Sequence, residues 1–161
     1  LRGFRYNRSM ADETTYFVYV TAHGPLTIQA TGKGISRVAF GKASLPGVQA
    51  PSSLTNSAAN QLQEYLAGKR KAFDLPLDVR GSEFQHRVWD AVSTIPYGSV
   101  VTAADIAAML GRPQAFRAVG TAVKKNVLAP FIPSHRVVSG AADAAIAAVF
   151  QGFLNIEANS L

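Results

Sequence analysis

The sequence predicts an α+β fold, in which a small antiparallel sheet with one helix is packed on a helical C-terminal part. Two patterns lead to this prediction. Between residues 16 and 40, apolar and polar side chains alternate with a period of two, which is typical of half-buried strands. From residue 83 onwards, apolar residues recur every three or four positions, as on the buried face of a helix. We expect the first part to comprise residues 10–79 and the second residues 80–161.

The first part is expected to contain three strands, a loop and a helix. Glycine-containing turns at 24–25 and 32–34 separate the strands. Residues 41–54 contain two prolines and are interpreted as a loop. A helix is expected over residues 57–67, because apolar residues share one face there and a glycine follows. Residues 1–9 hold three arginines and precede a methionine, and we interpret them as an expression leader.

The second part contains a helix-turn-helix pattern. Thr102 is placed as the N-cap of a first helix, with Asp105 three residues later in a capping-box arrangement. A turn at 111–113 follows, and Pro113 suits the first position of a second helix that extends to about residue 125. Two short helices joined by such a turn are typical of DNA-binding motifs, although many helical hairpins do not bind DNA.

The second helix of this motif has two faces of different character. One face is apolar and is expected to lie in the core: Phe116, Val119 and Val123. The other face is polar, basic and expected to be exposed: Arg117, Thr121 and Lys124.

Charge favours a polyanionic partner for the second part. The 161 residues include 16 Lys and Arg against 10 Asp and Glu, a formal net charge of +6. Residues 80–138 hold seven of the basic side chains and three of the acidic ones, an excess of four. Nucleic acid is the usual partner of such a region, and a solvated face that keeps the protein soluble is the alternative.

Composition excludes several kinds of site. The sequence has no cysteine, which excludes disulfides, thiolate zinc sites and iron–sulfur clusters. The three histidines lack metal-ligand spacing, so we expect neither a metal nor another cofactor. Residues 144–150, the longest weakly polar stretch, are too few to cross a bilayer, and no signal peptide is visible. We therefore expect a cytoplasmic protein, or a nuclear one in a eukaryote, that has no membrane partner.

One segment places three polar residues among apolar ones. Pro130 and Pro133 exclude a regular helix, and their apolar neighbours imply burial. Ser134, His135 and Arg136 would then need partners, because burying polar groups without hydrogen bonds is unfavourable. In an extended segment Ser134 and His135 point to opposite faces, so they are not expected to pair as nucleophile and base. A structural network held by Arg136 is the alternative to an active site.

Ordered motifs in the sequence resemble the 6-O-alkylguanine-DNA alkyltransferase family. Family motifs that recur here are Ile-Pro-Tyr-Gly at 95–98, Arg-Ala-Val-Gly at 117–120 and, at 133–137, Pro-Cys-His-Arg-Val with serine in place of the cysteine. The family's asparagine, eight residues before its cysteine, matches Asn126. The resemblance extends from about residue 17 to residue 138 and, more loosely, to Glu157.

The resemblance implies a ribonuclease-H-like N-terminal part and a DNA-binding C-terminal part. In the family, the second helix of the motif enters the minor groove and an arginine, here Arg117, replaces a nucleotide that is flipped out of the base stack. The implied partner is double-stranded DNA, including DNA with 6-O-alkylguanine, and the implied role is DNA repair as a monomer, with downstream repair proteins as further partners. Matching DNA-binding positions are Thr102, Ala103, Thr121 and Lys124.

The resemblance also implies roles around the acceptor position. In the family, a glutamate orients the histidine, which deprotonates the cysteine through water, and the thiolate takes the alkyl group in one irreversible turnover. By resemblance, His135 is the base, Glu157 is the orienting acid and Asn126 braces the turn. Pro133 and Arg136 shape the active-site loop.

Three departures from the family pattern bear on activity. Ser134 replaces the cysteine, and a hydroxyl is a far weaker acid than a thiol with its reference pKa of ~8.5, so alkyl transfer is not expected. Ala103 stands where the family has a tyrosine that helps to rotate the nucleotide. Residues 141–148 are rich in alanine and predict a helix instead of the family's glycine- and tyrosine-containing pocket wall.

Three interpretations therefore stay open. In the first interpretation, the chain is a non-catalytic alkyltransferase-like protein that marks alkylated DNA for other repair proteins. Alternatively, it is a Cys-to-Ser variant of an active, suicidal alkyltransferase. In the third interpretation it is a degenerate family member that binds DNA or protein generically.

Overall fold

The computed structural model describes residues 13–138 and 144–160, and the chain divides into two compact units. Of the described residues, the first unit contains those up to Glu64 together with Phe73–Val79, and the second contains Tyr65–Ala72 and those from Arg80 onwards. The α+β prediction is confirmed. The predicted boundary between residues 79 and 80 stays a prediction, and the expected leader lies outside the described residues.

The first unit is built on a four-stranded sheet in the order β3-β2-β1-β4. Its strands are β1 Thr15–Thr21, β2 Gly24–Thr31, β3 Gly34–Phe40 and β4 Val48–Gln49. The first three strands form the expected antiparallel meander, with Ile28 of β2 opposite Phe17 of β1 and Val38 of β3. Ile28 and Ile35 are fully buried, so one face of the meander supplies the core of this unit.

Strand β4 corrects two expectations. Residues 41–54 are not all loop, and the sheet is mixed because β4 pairs with β1 in parallel. The pairing depends on backbone hydrogen bonds, in which Val48 N donates to Thr14 O over 2.9 Å and Ala50 N to Tyr16 O over 3.0 Å. Both residues of β4 are exposed, so no alternation of apolar side chains marks this strand in the sequence.

Helix α1, Ser53–Leu66, begins four residues earlier than expected. The reason is a polar cap that lies before the apolar stripe: Ser52 Oγ accepts from Thr55 N at 3.1 Å, and Ser52 N donates to Thr55 Oγ1 at 2.9 Å. The face predicted from the sequence is the buried one, with Leu62 and Tyr65 fully inaccessible. Tyr65, at the C-terminal end of the helix, already belongs to the second unit.

The second unit is largely helical. Its helices in the described part of the chain are α2 Glu83–Val92, α3 Ala103–Met109, α4 Phe116–Lys124 and α5 Ala144–Asn159. A capping box formed by Ser82 and Gln85 begins α2. Trp89 of α2 donates its indole N–H to Ala122 O in α4 over 2.9 Å, which connects the first helix of the unit to the helix-turn-helix. None of the described helices is both long and apolar enough to cross a bilayer.

The helix-turn-helix forms as α3 and α4. The predicted capping box is confirmed, since Thr102 accepts from Asp105 N and the Asp105 side chain accepts from Thr102 N. Gly111, just beyond α3, has a φ of +72°, a conformation that glycine adopts easily. Pro113–Ala115 then forms a 3-10 turn, so α-helical geometry begins only at Phe116.

One predicted core position of α4 is wrong. Val119 and Val123 are buried as expected, whereas Phe116 is 45% exposed. Helical periodicity gives the direction of a side chain around the axis, but it does not give the point along the axis at which the core ends. Phe116 is the first residue of α4 and lies beyond that point.

Candidate functional site

The exposed face of α4 carries the residues that the sequence assigns to DNA contact. Arg117, Thr121 and Lys124 are all exposed, and Lys125 adds a further exposed cation at the end of the helix. Thr121 Oγ1 donates to the backbone oxygen of Arg117 over 3.2 Å, so its hydroxyl is held close to the helix. The guanidinium carbon of Arg117 lies 5.8 Å from the centre of the Phe116 ring. The face is therefore basic, and the Phe116 ring lies beside it at the start of the helix.

The beginning of α3 offers a different surface from the one expected. Thr102 is exposed, but its hydroxyl is engaged in the capping box, where it accepts from Asp105 N at 3.1 Å. Ala103, the other predicted DNA-binding position here, is buried, with 6% of its surface accessible. Ala103 thus packs inside the unit and presents no side chain to a ligand.

Asn126 closes the loop that follows α4. Its amide nitrogen donates to Ile132 O over 2.9 Å and to Ser134 Oγ over 2.7 Å, while its oxygen accepts from Leu128 N at 2.8 Å. A single side chain therefore satisfies two backbone groups and also contacts the Ser134 hydroxyl. The structure brings Asn126 and Ser134 together, as the resemblance implies.

The segment around Ser134 is a 3-10 turn, Ser134–Arg136, and the expectation of an extended segment is wrong. Pro133 has no N–H, but its carbonyl oxygen accepts from Arg136 N at 3.0 Å, and Val137 N donates to Ser134 O over 3.1 Å. A proline immediately before a helical turn is tolerated because the missing donor is not required there. The turn is joined to the start of the helix-turn-helix, since Val101 N donates to Arg136 O over 2.8 Å.

Ser134 and His135 have separate partners even so. Besides Asn126, the partner of the Ser134 hydroxyl is Val123 O at 3.4 Å, to which it can donate. The His135 ring instead contacts Glu157 and Tyr65. Both residues are 2% exposed, so each is held within a buried set of hydrogen bonds. The expectation that these neighbours do not pair therefore agrees with the geometry, although its assumed backbone conformation does not.

The carboxylate of Glu157 is the centre of the buried network. It projects from α5 and is 1% exposed. Arg136 approaches it with two nitrogens, Nε at 2.9 Å from Oε1 and Nη2 at 3.0 Å from Oε2. Gly98 N donates to Oε1 over 2.9 Å, and the Tyr65 hydroxyl donates to Oε2 over 2.5 Å. His135 Nε2 lies 2.5 Å from Oε2 and completes the set of donors.

This network shifts the pKa of three of its members. For Glu157, burial raises the pKa, but hydrogen bonds from His135, Arg136, Tyr65 and the Gly98 amide outweigh it and hold the pKa well below the usual carboxyl range. Burial lowers the pKa of His135, opposed in part by Glu157. Burial, followed by the hydrogen bond to Glu157, raises the pKa of the Tyr65 hydroxyl. At neutral pH the network thus contains a carboxylate, a neutral imidazole and a protonated phenol.

These charge states determine the tautomer of His135. An ionised carboxylate only accepts hydrogen bonds, so His135 Nε2 carries the proton and donates it to Glu157. The lone pair is then on Nδ1, which is buried and has no hydrogen-bond partner among the residues that the structure describes. Phe150 and Phe153 flank the ring, with centroid distances of 6.3 and 5.2 Å. The arrangement makes Nδ1 a proton acceptor in an apolar environment.

Sequence reasoning missed two aromatic members of this site. The helical pattern over residues 57–67 places Tyr65 only on an apolar face, yet its hydroxyl contacts Glu157, and a buried tyrosine generally requires such a partner. The ring of Tyr97 lies 5.6 Å from the guanidinium carbon of Arg136, within the range of a cation–π contact. The signal for Tyr65 was its hydroxyl within a helix face that the sequence predicted to be buried.

Other expectations concern metals and the pocket wall. Across the described residues, no three His, Asp or Glu side chains come together as a metal ion would require, and the absence of a cofactor stays a prediction. Residues 144–148 of the alanine-rich stretch are helical, as part of α5, whereas residues 141–143 lie outside the described residues.

Family models match both parts of the chain. The model described as 6-O-methylguanine DNA methyltransferase, ribonuclease-like domain, matches residues 14–79, and that described as 6-O-methylguanine DNA methyltransferase, DNA binding domain, matches residues 83–153.

Curated relatives give the same picture. The chain is 56% identical over 81 residues to the constitutive methylated-DNA–protein-cysteine methyltransferase of Bacillus subtilis, a match that covers 50% of this chain and 49% of the relative. It therefore spans about half the length of that relative. The match to the methylated-DNA–protein-cysteine methyltransferase of Methanosarcina acetivorans is 36% identical over 129 residues and covers 76% of this chain and 82% of the relative.

Two solved structures from Mycobacterium tuberculosis have a similar fold. The O6-methylguanine methyltransferase of that organism has a TM-score of 0.83 and 31% identity, covering 92% of this chain and 94% of its own. The structure of M. tuberculosis OGT in complex with DNA has a TM-score of 0.81 and 32% identity, covering 91% and 94%.

Replacing the buried carboxylate tests the network. In Glu157→Gln, Arg136 and His135 stay buried but lose the anion, so the free energy of unfolding at pH 7 is expected to fall by about 3–5 kcal/mol. Glu83→Gln is the matched control, because Glu83 is exposed in the first turn of α2, and we expect it to change that free energy by less than about 0.5 kcal/mol. Urea unfolding followed by circular dichroism measures both. Equal effects would contradict a central role for Glu157.

The same experiment at different pH values tests the charge states. Because the pKa of His135 is lowered, its protonation is less favourable in the folded state, and the fold is more stable above pH ~6.5, the ordinary His pKa, than below it. The lowered pKa of Glu157 has the same effect around pH ~4.3, the ordinary Glu pKa. Each contribution is lost as the pH falls below that value, because the unfolded state then binds the proton more readily. Stability should therefore decrease from pH 7 towards pH 4 and below, and Glu157→Gln should remove the lower part of this decrease.

Proposed function

The chain belongs to the 6-O-methylguanine DNA methyltransferase family, and from this premise we propose that it binds duplex DNA through the minor groove and recognises 6-O-alkylguanine without accepting the alkyl group. The observation that supports the proposal is Ser134, which on the family resemblance stands at the acceptor position and whose hydroxyl lies between the Asn126 amide and the Val123 carbonyl. The role is that of a DNA repair protein that marks the lesion for other proteins.

The basic face of α4 supports the DNA-binding half of the proposal. Arg117, Lys124 and Lys125 are exposed on a helix that follows a tight turn, an arrangement suited to phosphate contacts. M. tuberculosis OGT, which is similar to this chain over most of its length, has been crystallised with DNA. Such contacts position a protein on the duplex without reading its sequence.

Recognition of the lesion is assigned to Arg117. Its side chain is exposed at the second residue of α4, and on the family pattern it fills the space that a flipped nucleotide leaves in the base stack. A lesion that weakens base pairing makes flipping less costly, so the stack-filling role predicts a preference for damaged DNA.

The chemistry of Ser134 supports the proposal that the protein does not accept the alkyl group. Alkyl transfer would form a bond from the acceptor atom to the alkyl carbon and break the bond from that carbon to guanine O6, and the proton of the acceptor would pass through a base to the guanine that leaves. A thiol loses this proton readily, whereas a serine hydroxyl needs a strong base in direct contact. The lone pair of His135 is not bonded to Ser134 in the described structure, and the pKa of His135 is lowered, so the hydroxyl keeps its proton.

A second candidate is an active alkyltransferase in which cysteine has been replaced by serine. The contacts of Asn126 with Ser134 Oγ and of Glu157 with His135 favour it, because they provide a hydrogen-bond donor for a thiolate and an unprotonated base. The buried Ala103 and the helix at 144–148 argue against it, since they differ from the family at further positions. The third candidate, generic DNA or protein binding, would leave Arg117 without a special role.

DNA binding should depend strongly on salt. If α4 neutralises two to four phosphates, a plot of log affinity against log salt concentration should have a slope of about −2 to −4. Lys124→Ala should make the slope shallower by about 1. Fluorescence anisotropy with a short undamaged duplex measures both. The proposal fails if the wild-type protein does not bind even at low salt.

Arg117→Ala should weaken binding to DNA that contains 6-O-methylguanine more than Lys124→Ala does, because it removes the stack-filling side chain as well as a charge. On undamaged DNA, the two substitutions should cause similar losses of affinity, since each then removes one cation. Competition binding with the two duplexes gives the ratio directly. Equal effects of the two variants on both duplexes would make Arg117 an ordinary surface charge and would favour generic binding.

The intact mass of the protein should not change on incubation with DNA that carries 6-O-methylguanine, because the Ser134 hydroxyl stays protonated. We expect Ser134→Cys to show little or no transfer as well, since misplacement of the base by an ångström can slow transfer about a hundredfold. Mass spectrometry of the peptide that contains residue 134 measures the added methyl group, and Ser99→Cys, at an exposed position, controls for nonspecific alkylation. Rapid and complete methylation of Ser134→Cys would instead support the second candidate.

A further inference from the structure

Phe116 is an exposed aromatic residue at the start of α4, the helix that we propose contacts DNA. Of its surface, 45% is accessible, although the sequence pattern assigns it to the core. It is the single aromatic residue in the sequence between Thr102 and Lys125, which includes both helices of the helix-turn-helix. Single exposed apolar residues are common on protein surfaces, so the exposure of Phe116 does not by itself indicate a partner, and its position beside Arg117 carries the inference.

The position of the ring connects it to Arg117. The guanidinium carbon of Arg117 lies 5.8 Å from the ring centre, within the range of a cation–π contact. The arginine is itself exposed, so the pair forms one surface feature with an apolar plane and a positive charge. A ligand that engages Arg117 at this site also meets the ring.

The charges around Phe116 and Arg117 indicate which kind of ligand this surface would bind. From residue 100 to residue 125 the sequence contains four exposed basic residues and one acidic residue, Asp105, which is engaged in capping α3. A ligand for this surface should therefore be negatively charged and should also offer flat apolar groups to the ring. DNA combines both properties, because its phosphates border a stack of bases.

We propose that Phe116 is an apolar wedge that packs against the bases in the minor groove beside Arg117. Proteins that bind the minor groove commonly insert apolar side chains at base steps and partly unstack them. The ring would hold the step open while the arginine enters it. This inference rests on the proposed binding of duplex DNA and adds to it a residue that carries no charge.

Because the Phe116 side chain is uncharged, the wedge role predicts a specific dependence of DNA affinity on salt. Removing the ring should lower affinity by the same factor at every salt concentration, because no phosphate contact is lost. We expect Phe116→Ala to weaken binding about tenfold, as is usual for the loss of one stacking side chain, with an unchanged salt slope. Phe116→Trp should retain binding, since the larger ring can still stack.

The experiment uses the full chain and a duplex that carries 6-O-methylguanine with 2-aminopurine as the neighbouring base. Fluorescence of 2-aminopurine reports unstacking, and anisotropy reports affinity between low and moderate salt. Met109→Ala is the matched control, because Met109 is an apolar residue of α3 with 56% of its surface exposed, and we expect wild-type binding from it. Urea unfolding should show that Phe116→Ala and Met109→Ala are both folded.

The outcomes distinguish failure of the wedge role of Phe116 from failure of the proposed binding of duplex DNA. A tenfold loss with parallel salt lines and a reduced 2-aminopurine signal supports the wedge. Wild-type affinity of Phe116→Ala, in a protein that does bind DNA and is weakened by Arg117→Ala, overturns the wedge alone. A change in salt slope for Phe116→Ala also overturns it, because the ring would then act by positioning a charge. Failure of the wild-type protein to bind DNA overturns the proposed function together with the wedge.

Discussion

The buried carboxylate of Glu157 is the constraint on which the second unit depends. Donors from four places in the chain converge on it: the Tyr65 hydroxyl, the Gly98 amide, and the side chains of His135 and Arg136. A buried anion with this many hydrogen bonds is favourable only when all donors are in place, and each donor would be left unsatisfied without it. Because Val101 is hydrogen-bonded to the turn that contains Arg136, the start of the helix-turn-helix is tied to the same centre.

Much of the fold could be predicted because its elements have periodic side chains or local caps. The three antiparallel strands and the capping box at Thr102 are of this kind. Strand β4 could not be predicted, since two exposed residues pair through their backbone alone. The burial of Phe116 was predicted wrongly because periodicity does not show where along a helix the core ends. Elements could thus be predicted where nearby residues in the sequence determine them, and could not where they depend on contacts with distant residues.

The site was predictable to a smaller extent. Adjacent polar residues at 134–136 indicated a buried network, but the identity of their partners depends on tertiary structure. Asn126 and Glu157 were assigned from the resemblance, and without it no spacing rule connects a helix residue near the C-terminus to a turn 21 residues earlier. Tyr65 was missed for the same reason, because its sequence neighbours describe only the helix face and not the carboxylate that its hydroxyl contacts.

The structure also separates residues that maintain the fold from residues that could act only in function. His135, Arg136 and Glu157 hold the second unit together, so their presence follows from stability whether or not an alkyl group is transferred. Ser134 is different, because a hydroxyl occupies nearly the same space as a thiol and keeps the contact with Asn126, while it lacks the acidity that transfer needs. Arg117 is exposed and contributes little to the core, so the DNA binding that we propose for α4 does not depend on the residue at position 134. The absence of transfer that we propose is therefore compatible with both the folded network and the basic helix.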